Sequence, residues 1–112
     1  MKRISGINNI IKREVSKSIF NNLDIGRDIF TTVTRVETSS NIIQAKIYIS
    51  VIPEKEFDRV LRILNRNIYK IQQELNKKLR MRPVPKILFV KENKTKEADR
   101  IDGLLTSLKK NQ

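Results

Sequence analysis

The chain has 112 residues, enough for one domain with a modest core and too few for two. Lys and Arg number 24 against 12 Asp and Glu, a net charge of +12 at pH 7, and that excess points to a polyanionic partner, either nucleic acid or an anionic membrane surface. With no Cys and no His, zinc centres, thiolate nucleophiles, imidazole acid–base chemistry and disulfides are all excluded.

Richness in Lys, Ile and Asn can also reflect a biased genome, which would raise basicity without any binding role. No run approaches the ~20 apolar residues of a membrane span, and the start lacks the apolar core and cleavage pattern of a signal peptide. The cytoplasm is the expected compartment.

In chain order, Ile4, Ile7, Ile11, Val15 and Ile19 recur at helical spacing with Lys12, Arg13 and Lys17 off that stripe. They predict a first amphipathic helix ending around Asn21-Asn22, before the Gly-containing stretch from Asp24 to Arg27. Phe30 to Thr38 reads FTTVTRVET, dense in β-branched residues that suit a pleated surface. Ser39-Ser40-Asn41 supplies turn chemistry. Ile43, Ala45, Ile47, Ile49 and Val51 then alternate with Gln44, Lys46, Tyr48 and Ser50, a strand with one buried face. The short polar link favours an antiparallel hairpin, and the less regular alternation of the Phe30 strand suggests that it is the more central of the two.

Pro53 stops the second strand, and Glu54 and Glu56 suit the positive end of a helix dipole. From Phe57 to Leu79, at ~100° per residue, Phe57, Val60, Leu61, Leu64, Ile68, Ile71, Leu75 and Leu79 share one stripe. Arg59, Arg62, Arg66, Lys70 and Lys77 lie on the far side, with no acidic residue among them. Pro83 and Pro85 end this long helix, Arg80 to Pro85 form a bend, and KILFVK at Lys86 to Lys91 reads as a third strand. Ala98, Ile101, Leu105 and Leu108 give a last helical stripe, weakened by Gly103, so 95–112 is a C-terminal helix or tail. The order helix, strand, strand, long helix, strand, short helix fits one α+β domain over 1–112, of KH type, with helices on one face of a three-stranded sheet.

Four strings in register now carry a resemblance. They are Thr32-Val33-Thr34-Arg35-Val36-Glu37, Ala45-Lys46-Ile47-Tyr48-Ile49-Ser50-Val51, Leu79-Arg80-Met81-Arg82-Pro83-Val84-Pro85 with Leu88-Phe89, and Arg100-Ile101-Asp102 with Leu104-Leu105. Together they resemble the bacterial ribosome-binding factor A family over most of the chain. The resemblance implies a type II KH-like domain that lacks the Gly-x-x-Gly loop, and this chain contains no such loop. A standard KH domain clamps single-stranded nucleotides with that loop, so backbone and shape contacts are expected instead. Where the family has an Ala-x-Gly kink, this chain has Asn67-Ile68-Tyr69, so its helix either bends less or bends by other means. In the altered loop Asp24-Ile25-Gly26-Arg27-Asp28-Ile29, Arg27 is the one carry-over.

The family resemblance further implies a monomeric assembly factor, not an enzyme. It would bind the 30S ribosomal subunit, its precursors and 16S rRNA, assist late maturation and 5′-end processing, matter most in the cold, and leave with help from a ribosome-associated GTPase or an initiation factor. No cofactor, metal, catalytic residue or membrane is implied. For rRNA phosphates the candidates are Arg66, Lys70 and Lys77, continuing into Lys78, Arg80 and Arg82, with Arg35 and Lys46 on adjacent strands. A solvated face and dipole complementarity would explain Lys77, Lys78 and Arg80 without a ligand, and pairing with Glu37 would explain Arg35. Lys12 and Arg13 are weaker candidates. Tyr48 can stack on a base or pack under a loop, and Asp99 with Asp102 can hold Mg²⁺ or simply be solvated. Two other classes stay open: a non-specific basic nucleic-acid-binding or membrane-surface protein, whose binding would collapse with salt, and a metal-dependent nuclease built from scattered carboxylates.

Overall fold

The computed structural model describes residues 2–93. The last predicted helix and the Asp99–Asp102 pair lie outside the described residues. Helix α1 spans Lys2–Asn22, strand β1 Phe30–Thr38, strand β2 Gln44–Ile52, helix α2 Phe57–Arg66, helix α3 Ile68–Lys78 and strand β3 Lys86–Lys91. The arrangement is α+β, with the helices on one face of a three-stranded mixed sheet. No described helix is long and apolar enough to cross a membrane.

Ile7, Ile11, Val15 and Ile19 of α1 are buried at spacings of four, the single apolar stripe that a surface helix needs. Polar ties also hold this helix. Ser18, only 3% exposed, donates from Oγ to Glu74 Oε1 of α3 at 2.8 Å, and Asn22 Nδ2 reaches both oxygens of the same carboxylate at 2.9 Å. At the other end, Thr38 donates its backbone N–H and its hydroxyl to Asn8 Oδ1 at 3.2 and 2.6 Å. The chain leaves α1 through Gly26, whose φ of 124° suits only glycine.

The sheet order is β1-β2-β3, antiparallel between β1 and β2 and parallel between β2 and β3. The central strand is therefore β2, not the Phe30 strand. A β-bulge explains the misleading pattern: the register slips between Val33 and Arg35, leaving Thr34 without a partner. Val33 and Val36 consequently face the core three residues apart, which in a regular strand would put them on opposite faces. β2 alternates cleanly, with Ala45, Ile47, Ile49 and Val51 buried. Ile43 does not join them, because it still belongs to the turn and is exposed. In that turn, Ser39 Oγ and Asn41 Oδ1 both accept the Ile43 N–H at 3.2 Å.

The long helix is two helices. Phe57, Val60, Leu64, Ile71, Leu75 and Leu79 are buried as the stripe predicts, and Leu61 and Ile68 pack against them. Yet Asn67, at φ −106° and ψ 8°, stands outside both helices. Its side chain makes the break tolerable: Nδ2 donates to Ile63 O at 2.8 Å while its N–H reaches Leu64 O at 3.1 Å. Carbonyls orphaned by the end of α2 are satisfied locally, so the bend needs no small residue. Glu54 and Glu56 form a separate 3₁₀ turn ahead of α2.

Replacing Asn67 with Ala should remove the bond to Ile63 O and lower stability by about 1 kcal/mol. Urea denaturation followed by circular dichroism would show this as a lower midpoint with an unchanged slope.

Candidate nucleic-acid interface

The eight candidate cations divide between two sides of the molecule. Arg66 is the last residue of α2, Lys70, Lys77 and Lys78 sit on α3, and Arg80 and Arg82 sit on the link to β3. All six are exposed, and among the described residues none makes an ion pair. Lys70 and Lys77, seven apart, share a stripe of α3. Arg82 Nη1 folds back onto Leu79 O and Met81 O at 3.1 and 2.7 Å. Arg59, grouped with this face by periodicity, is engaged elsewhere: it donates to Ile25 O at 2.8 Å and to Glu56 at 2.9 Å, tying α2 to the turn around Gly26.

Arg35 and Lys46 lie on the open face of the sheet, opposite the side that packs on the helices. Lys46 is exposed. Arg35 is held on three sides, its guanidinium 3.7 Å above the centroid of the Tyr48 ring, where a planar cation is attracted to the π face. It reaches across β2 to Glu92, just past β3, with Nε 3.1 and 3.3 Å from the two carboxylate oxygens, and Nη1 is 2.7 Å from Glu37. The bulge residue Thr34 donates to the same Glu92 at 2.7 Å. One face of the Tyr48 ring is thus covered by Arg35.

These contacts shift the carboxylates. Burial opposes the charge on Glu92, but the hydrogen bonds from Arg35 and Thr34 outweigh it and hold its pKa below the usual carboxylate range. Glu37 is also lowered, by the Tyr48 hydroxyl foremost and then by Arg35 and Lys46. Sequence alone pairs Arg35 with Glu37 and misses Glu92, because the partnership depends on the register of a parallel strand more than fifty residues away.

Among the described residues no group of three or more acidic side chains is gathered as a metal site would require. What the helical side offers is a set of exposed cations, unpaired among the described residues, on a bent helical support, a chemistry suited to phosphate contact.

A family model described as ribosome-binding factor A matches residues 3–105. The chain belongs to the ribosome-binding factor A family. Ribosome-binding factor A of Thermodesulfovibrio yellowstonii is 33% identical over 109 residues, covering 97% of this chain and 92% of that protein. The crystal structure of ribosome-binding factor A from Thermus thermophilus superposes with a TM-score of 0.68 at 25% identity, over 79% of this chain and 94% of that one. A homology model of the Thermus protein, fitted into a cryo-EM map of its complex with the 30S subunit, gives 0.60 at 27% identity, over 72% and 86% of the two chains. Across this family fold, the helix break at Asn67 stands where the resemblance placed the Ala-x-Gly kink.

The linkage sign follows from the lowered carboxylates. The unfolded chain takes up protons near the ordinary carboxylate pKa of ~4.3, above the native values of Glu37 and Glu92. Their contribution is therefore complete above that range and is lost as pH falls through the native values. Thermal midpoints should drop on acidification below about pH 5, and the drop should be smaller in Glu92→Gln, whose midpoint converges on that of the parent at low pH.

Proposed function

We propose that this protein is a cytoplasmic, monomeric assembly factor that binds the free 30S subunit and its late precursors through 16S rRNA and assists maturation of the 5′ end. On this reading it acts as a temporary structural partner, matters most in the cold, and leaves, with a GTPase or initiation factor assisting, before subunits join. Family membership supports the partner class, and the Thermus relative fitted into a 30S complex supports the particle.

The observation that carries the reading to named residues is the exposed basic surface of Arg66, Lys70, Lys77, Lys78, Arg80 and Arg82, which makes no ion pair among the described residues. A cation without a carboxylate partner loses no ion pair when it meets a phosphate. It gains from release of the counterions condensed on RNA. Arg35 would have to give up Glu92 and Glu37 first, and it lies with Lys46 on the opposite, open face of the sheet, so a single rRNA surface built on the helical cations leaves these two out.

Gradient sedimentation of the tagged protein in a lysate at near-physiological salt tests the class. Co-migration with free small subunits and precursors, but not with intact ribosomes, is expected; smearing across every RNA fraction would mark a charge-driven binder instead. Replacing Arg66, Lys70 and Lys77 together by Glu should weaken particle binding and reduce the slope of log K against log salt by roughly one per lost phosphate contact. Undiminished binding by the folded triple variant would remove these residues from the site.

A further inference from the structure

A groove of about 700 Å³ runs between α3 and residues 82–87. Ile68, Val84 and Ile87 make its lining apolar, Arg82 and Lys86 bring positive charge, and among the described residues no carboxylate lines it. Tyr69, in the first turn of α3, borders the groove with 74% of its surface exposed. Unlike Tyr48, its ring has no cation laid over it among the described residues.

The walls are fixed. Gln72 Nε2 donates to Pro85 O at 3.1 Å and to Asn76 Oδ1 at 3.1 Å, and Gln72 Oε1 accepts the Ile87 N–H at 2.9 Å. One side chain thus joins α3 to the backbone on both sides of Lys86, holding the spacing between the ring and the two cations. An exposed aromatic, an apolar lining and cations without acidic neighbours match the parts of one nucleotide: a flat base, its sugar and its phosphates. RNA-binding proteins join stacking surfaces and basic tracks in this way for unpaired bases.

We propose that this groove takes one unpaired nucleotide of RNA, its base stacked on Tyr69 and its flanking phosphates towards Arg82 and Lys86. The assignment rests on the rRNA-binding reading above and adds a base contact to a surface that otherwise touches only backbone. Such a contact favours looped or single-stranded rRNA over a continuous duplex, whose bases are already stacked.

The test compares labelled hexa-adenylate with an abasic ribose-phosphate hexamer, by fluorescence anisotropy with the full chain. Equal phosphate number holds the electrostatic contribution constant. The protein should bind hexa-adenylate about 5- to 150-fold more tightly, the range for stacking one base on an aromatic ring. Tyr69→Ala should abolish the preference without changing the thermal midpoint, and Tyr69→Phe should keep it. Equal binding of the two hexamers, a preference that survives Tyr69→Ala, or equally tight binding of an oligoglutamate of the same charge would each overturn the groove assignment. If the hexamers bind equally while the protein still co-sediments with small subunits, the groove alone is wrong; if co-sedimentation also fails, the rRNA reading falls with it.

Discussion

The rest of the structure depends on β2 having two unlike faces. Ala45, Ile47, Ile49 and Val51 are buried under the helices while Lys46 and Tyr48 look the other way. Because strand side chains alternate with a period of two, a one-residue slip would exchange these sets and put charge into the core. β2 also pairs on both edges, antiparallel to β1 and parallel to β3. The parallel partner forces a crossover, and that demand shapes the helices. A straight helix over Phe57–Lys78 would run about 33 Å at 1.5 Å per residue, whereas the six-residue β3 is only about 20 Å long. Breaking the helix at Asn67 returns the chain to the start of β3 with both halves still over the sheet.

Charge follows the same division into sides. On the open sheet face the basic residue that matters most, Arg35, is consumed by Tyr48, Glu37 and Glu92, and these contacts bind β1 to the end of β3 across the central strand. On the helical side the carboxylates serve the fold instead. Glu74 is turned towards Ser18 and Asn22 of α1, and Glu56 towards Arg59. Arg66 and the cations of α3 and the following link have no carboxylate partner among the described residues, so unpaired positive charge is concentrated on the bent helix pair.

Much of this was legible in the sequence, for physical reasons that differ by element. β2 showed itself through alternation, and β3 through Pro83 and Pro85 on one side and a dense apolar run on the other. β1 was found by composition, but its place was misjudged, because the bulge at Thr34 mimics the irregular pattern of a strand buried on both faces. The break at Asn67 was invisible to periodicity: Leu64, Ile68 and Ile71 keep helical spacing straight through it, since both helices must bury the same side. Glu92 and the groove at Tyr69 were out of reach altogether. Each joins residues that meet only after the parallel strand has docked.

The break at Asn67 links fold and candidate site more closely than the charge count suggests. With small residues at a kink, the backbone itself can approach a ligand. Here an asparagine closes the first helix onto Ile63 O, Asn67 makes no side-chain cap bond to the second, and Tyr69 emerges two residues later beside a groove whose width Gln72 sets. The support that meets the geometric demand of the crossover therefore also carries Lys70 and Lys77 on one stripe of α3 and Tyr69 on another. At ~100° per residue, Tyr69 and its neighbour Lys70 point well apart around the helix. On the proposed reading, a single RNA segment lying across α3 would meet exposed cations on one side and the Tyr69 ring on the other.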